Sequence, residues 1–198
     1  MNYLAHAYLS FERPAIIVGN LISDFVKGKK KFDYPVSIQQ GMQLHRSIDQ
    51  FTDAHAITKE AAAFFKPDYG LYSMAFIDIV YDHFLASDEH LFTEKTLLDF
   101  SHNTYSVLSD FSEYHPPKFA RIFPSMVSNN WLLNYRHPWG IHRSFEGLVY
   151  RARYMDDPLA AVSVFENKYE QFQKYFEEFF PELEEFARDQ LNNIEEPG

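Results

Sequence analysis

Apolar residues recur at three- and four-residue steps through most of the chain, the spacing of an amphipathic helix. Pro14 suits a first helical turn and Gly28 the position just past a helix end. Between them Ile16, Ile17, Leu21, Phe25 and Val26 keep this rhythm. Pro35 can open the next helix, whose Met42, Leu44, Ile48 and Phe51 form an inward face. Thr52 or Asp53 is placed to cap a further helix through Phe65. After a turn at Pro67 to Gly70, the stretch from Leu71 to Ala86 is helical, with Met74, Ile77, Val80, Tyr81, Phe84 and Leu85 as core candidates. Thr93 can cap a helix to Phe111, and Pro117 can begin another. Asn129, Asn130, His137-Pro138 and Gly140 mark turns around the two tryptophans. Asp157-Pro158 opens an amphipathic segment through Phe165, Phe172, Phe176 and Phe179-Phe180. Pro181 is expected to interrupt it, with a last acidic helix running to Asn192. Little of the chain alternates with period two, and no Asn-Gly or Asp-Gly hairpin occurs. The expectation is an all-α protein, one domain over 1–198, with 158–194 as C-terminal helices packed on it.

Composition changes this picture in a few ways. Twenty Phe and 13 Tyr in 198 residues supply a bulky core and exclude a disordered chain. No apolar run reaches the roughly 20 residues of a membrane span, so no membrane partner is expected. The start lacks a basic segment before an apolar one, and the chain has no cysteine. Both fit a cytoplasmic protein, and the second excludes thiolate metal sites. The net charge of −10 argues against a nucleic-acid binder. Lys27, Lys29, Lys30 and Lys31 form a basic cluster against that background, either a solvated loop or a face for an acidic partner.

The candidate chemistry lies in three stretches: Asn20 to Phe25, Gly41 to His55, and Tyr81 to Phe84. His45, Asp49 and Asp53 stand four apart and line one side of a helix as far as the helix continues. Imidazole and carboxylate on a rigid support are what an N/O metal site needs. A divalent cation there would polarise a phosphoryl oxygen and lower the pKa of bound water. Asp24, His45, Asp49 and Asp82 are the candidate ligands, and the three stretches are expected to meet in one pocket. His45, Arg46 and His83 are the candidate catalytic groups, with His6, Asp53 and His55 behind them. Each has a plainer alternative. Asp49 can pair with Arg46, Asp53 can be a helix cap, and His45 can be a hydrogen-bonded core histidine.

The segments Met1-Asn2-Tyr3-Leu4-Ala5-His6, Gly19 to Gly28, Gly41 to His55, Tyr81 to Leu85 and Asn130 to Arg136 together resemble the acyl carrier protein phosphodiesterase family. The resemblance implies an HD-domain-like helical bundle, distantly related to the HD-type metal phosphohydrolases. It implies hydrolysis of the phosphodiester joining 4′-phosphopantetheine to a serine of holo-acyl carrier protein, with Mn²⁺ or Mg²⁺ required. The partner would be acyl carrier protein, small and acidic, facing Lys27 to Lys31, Arg46, Arg143, Arg151 and Arg153. One departure stands out: His45 is followed by Arg46, and Asp82-His83 reverses the usual His-Asp order. Ligand roles therefore do not carry over position by position. Other classes stay open: a metal phosphohydrolase acting on nucleotides or other small phosphodiesters, and a non-catalytic helical binding protein. Oligomeric state is not legible in the sequence.

Overall fold

The computed structural model describes residues 1–152 and 157–195, and among these no strand occurs. Twelve α-helices follow one another: α1 Tyr3–Tyr8, α2 Pro14–Ile22, α3 Val36–Ala54, α4 Ala56–Ala63, α5 Lys66–Tyr69, α6 Ser73–Ser87, α7 Glu94–Asp110, α8 Pro117–Ser128, α9 Trp131–Asn134, α10 Pro138–Arg151, α11 Leu159–Asn167 and α12 Tyr169–Glu195. Two 3₁₀ segments, Ser23–Phe25 and Gly28–Asp33, join α2 to α3. The all-α expectation holds. Arg153, a candidate partner-facing residue, lies outside the described residues.

The starts follow local chemistry. Pro14, Pro117 and Pro138 each occupy a first helical position, where the missing N–H costs nothing. Thr93 caps α7 reciprocally: its Oγ1 accepts from Thr96 N–H at 3.2 Å, and Thr96 Oγ1 accepts from Thr93 N–H at 2.9 Å. Neither Thr52 nor Asp53 caps a helix. Thr52 Oγ1 bonds back to the Ile48 carbonyl at 2.8 Å, and α3 runs past both to Ala54. The break falls at His55, whose backbone is extended.

Pro181 does not interrupt α12, contrary to expectation. It sits on the exposed side, so the carbonyl it leaves without an N–H partner can face water. Phe179, Phe180 and Leu183 are buried on either side of it and hold the helix to the core. A fully buried Phe contributes about 2 kcal/mol through removal of apolar surface from water, enough to offset part of a proline's cost.

One hydrophobic core runs from Met1 to Leu191. At its centre α3 packs against α2 on one side and α12 on the other. The α2–α3 crossing is backbone to backbone. A Cβ on Gly19 would lie 2.0 Å from the Ile38 carbonyl oxygen, and one on Gly41 would lie 2.4 Å from that of Ile16. Only glycine permits this approach. It sets the C-terminal end of α2 beside the polar face of α3, where the site forms.

Candidate active site

Three elements supply the site. His45 and Asp49 are one turn apart on α3, Asp24 sits in the 3₁₀ turn after α2, and His6 is on α1. His45 Nε2 lies 3.1 Å from Asp49 Oδ2 and 3.2 Å from Asp24 Oδ1. His6 Nε2 lies 3.2 Å from Asp49 Oδ1, and the two imidazoles stack with centroids 4.0 Å apart. Donor atoms of His6, His45 and Asp49 all fall within 4.8 Å of one another, close enough to share an ion.

A short helix of six residues needs outside help to hold His6 in place. Asp82 of α6 supplies it. Its Oδ1 accepts from Asn2 and Ala5 N–H at 3.2 Å each, and its Oδ2 accepts from Leu4 N–H at 2.7 Å. These are the donors that a helix start leaves without intrahelical partners. The Met1 amino group adds an ion pair to Asp78 at 2.8 Å, one turn before Asp82. At the other end of α1, Asn20 Nδ2 and Ser10 Oγ both donate to the His6 carbonyl, at 2.9 and 2.7 Å.

The electrostatics follow from burial and from these neighbours. Burial lowers the His6 pKa to about 4, so the ring is neutral near pH 7. Burial alone would lower His45 too, but hydrogen bonds to Asp24 and Asp49 outweigh it and raise the value to about 9. Burial works against ionised Asp49 as well, yet hydrogen bonds from His45 and His6 hold its carboxyl well below the usual range. The His45 bond likewise lowers Asp24. The His45 proton thus sits between two carboxylates, where a metal ion would compete with it. His6 Nδ1 is buried without a hydrogen-bond partner, and Nε2 has only the Asp49 carboxylate beside it. A neutral imidazole nitrogen beside a carboxylate is a donor set suited to a cation.

His6, Asp24 and His45 line a cleft of about 270 Å³, with Asn2, Tyr3, Asp78 and Arg151 among its other walls, and Asp49 stands directly behind the two rings. Of the sequence candidates, the structure brings together His6, Asp24, His45 and Asp49. It does not bring Asp82 and His83 to them. Asp82 is fully buried behind α1 with its oxygens on backbone N–H groups, so it has no lone pair facing the cleft. His83 donates from Nδ1 to the Tyr135 carbonyl at 2.7 Å and accepts at Nε2 from Tyr169 at 2.9 Å. Arg46 and Asp53 are exposed and line no wall of the cleft. His55 packs on Phe179 and pairs with Glu182 at 3.3 Å, on the α12 side. Lys27, Lys29, Lys30 and Lys31 stand on the connection directly after Asp24, and none of them lines the cleft. Asp78 is the residue that sequence reasoning left out of the site. Its spacing of four from Asp82 was the available signal.

The architecture is an all-helical protein with histidines and a carboxylate lining a cleft. A family model described as acyl carrier protein phosphodiesterase matches residues 1–183. Similar proteins bear that same name. One from Yersinia pestis is 30% identical over 184 residues, covering 92% of this chain and 95% of its own. One from Klebsiella pneumoniae (strain 342) is 30% identical over 188 residues, covering 94% and 97%. One from Photorhabdus laumondii is 29% identical, covering 94% and 95%. The chain belongs to the acyl carrier protein phosphodiesterase family. No solved structure matches it.

Proposed function

We propose that this protein hydrolyses the phosphodiester between 4′-phosphopantetheine and the serine of holo-acyl carrier protein, releasing apo-carrier protein and 4′-phosphopantetheine. The observation that carries the reading is the His6–His45–Asp49 cluster, whose two imidazoles line a cleft, in a chain of this family. In this reading His6, His45 and Asp49 hold Mn²⁺ or Mg²⁺, with Asp24 at the mouth as a further carboxylate ligand. The bound cation supplies Lewis acidity at the phosphoryl group and lowers the pKa of water. Neutral His6 offers its nitrogen without first losing a proton, whereas His45 must release one, so cation binding strengthens as pH rises. Arg151, on the cleft wall, neutralises charge on the phosphoryl oxygens. Asp82 and His83 take no part in the chemistry. Asp82 positions α1, and through it His6.

Lys27, Lys29, Lys30 and Lys31 give the connection after Asp24 a local positive charge on a protein of net charge −10. Such a cluster favours encounter with an acidic carrier protein despite overall repulsion. The test is incubation with holo-carrier protein and Mn²⁺, read by mass spectrometry. The expected result is loss of the 4′-phosphopantetheine mass from the carrier. A carrier that keeps this mass, alongside cleavage of small phosphodiesters without any carrier, would replace the reading with a small-substrate phosphohydrolase. A protein that binds no Mn²⁺ would point to a non-catalytic binding role.

A further inference from the structure

A second cleft, of about 250 Å³, adjoins the first and shares Asn2, Tyr3 and Arg151 with it. Its walls come from α8, α9, α10 and the start of the chain. The two tryptophans of the sequence, Trp131 and Trp139, both line it. Asn134 and Ser144 add an amide and a hydroxyl to the lining; each donates to a backbone carbonyl, of Asn129 and Gly140, which leaves the Asn134 Oδ1 and the Ser144 Oγ as acceptors. Gly147 lies on the same wall, inside α10. A Cβ built there meets only the end of the Arg151 side chain, at 3.6 Å, an ordinary contact. Its backbone is not in the positive-φ region either. Neither packing nor conformation therefore demands glycine, and a glycine inside a helix costs about 1 kcal/mol relative to alanine. Gly140 on the same helix is the contrast, since a Cβ there would lie 1.9 Å from the Asn134 carbonyl oxygen. A glycine that the fold does not need, on a cleft wall, fits a ligand that lies close against the backbone.

We infer that this second cleft receives the pantetheine arm of the substrate, with the phosphoryl group at the Arg151 junction and Gly147 left bare for the arm to lie on α10. The inference rests on the proposed activity. The chemistry of the arm matches the walls. Its two amides can bond to Asn134 and Ser144, and its dimethyl group suits the indole faces. A cavity of this volume admits a slender chain and excludes a folded domain, so the carrier protein stays outside, at the lysine cluster.

The test uses the two tryptophans as reporters, with 4′-phosphopantetheine titrated into the wild-type protein. A saturable change in tryptophan emission is expected, because every indole of the chain is at this cleft. Gly147→Phe fills the cleft. It is expected to weaken that binding, and to raise the KM for holo-carrier protein, by at least about tenfold. Gly147→Ala, a better helix former, is expected to melt no lower than wild type. The Phe variant is melted beside it, so that occlusion is separated from unfolding. Tyr150→Ala, on the exposed side of the same helix, is the matched control and leaves both readouts unchanged. No emission change in the wild type, or unaltered affinity in Gly147→Phe, overturns the assignment of the cleft even if the carrier is cleaved. Saturable binding by a protein that never releases the arm from the carrier overturns the activity and leaves the cleft assignment standing.

Discussion

Two aspartate–histidine pairs stand on two helices of this protein, α3 and α6, and their fates differ. His45 of α3 lines a cleft with Asp49 one turn further on, and a second imidazole and a second carboxylate are close by. Asp82 and His83 of α6 are the same two residue types, yet both are buried, and both carboxylate oxygens and both ring nitrogens have partners within the protein. What separates the two pairs is which partners remain to be found. Asp82 faces the open start of a helix, so backbone donors fill it. Asp49 faces two rings whose remaining nitrogens have nothing else to bind.

Breaking the buried pair should have the largest effect on folding. Asp82→Ala leaves three backbone N–H groups without an acceptor and should cost about 3 kcal/mol or more in stability, read by denaturant unfolding. A variant as stable as wild type would show that α1 holds itself in place. Asp49→Ala should do the opposite. Its stability should fall less than that of Asp82→Ala, because the Asp49 side chain is partly exposed, while Mn²⁺ affinity measured by calorimetry should fall by more than about 100-fold, beyond what loss of an outer partner produces. Undiminished Mn²⁺ binding would remove Asp49 from the ligand set.

A pH titration of stability sharpens the contrast further. Burial lowers the His83 pKa to about 4, from an ordinary value of 6.5. The unfolded chain therefore takes up the proton first. Stability from this residue is full above pH 6.5 and is lost as pH falls toward 4, by about 3 kcal/mol in total. His83→Gln should flatten the acid limb of the stability curve, and an unchanged limb would count against the buried neutral ring. The smallest effect belongs to the lysine cluster. Lys30→Glu with Lys31→Glu should slow association with the carrier protein by about tenfold at low salt, with the difference shrinking as salt is added. A salt-independent difference in stopped-flow association would rule out steering by charge.

Much of the fold was legible because helices announce themselves through spacing and caps. Pro14, Thr93 and Pro117 open helices where the pattern places them. Pro181 misled because its exposure, which makes it tolerable, depends on the tertiary placement of α12. The site was legible where it is local, as with His45 and Asp49 one turn apart. It was not legible where it depends on distant partners. Nothing near Asp82 in the sequence says that its oxygens bond to Asn2, Leu4 and Ala5, about 80 positions earlier. The prominence of His6 follows from that same long-range bond and was equally hidden.

The contact of Gly19 and Gly41 carries a consequence for how this enzyme family can diversify. Two of the site's supports meet there with no side chain between them, so their separation cannot be tuned by small substitutions. Adaptation to longer or bulkier substrates must then come from the opposite wall, where α9 and α10 present side chains that can be exchanged one at a time.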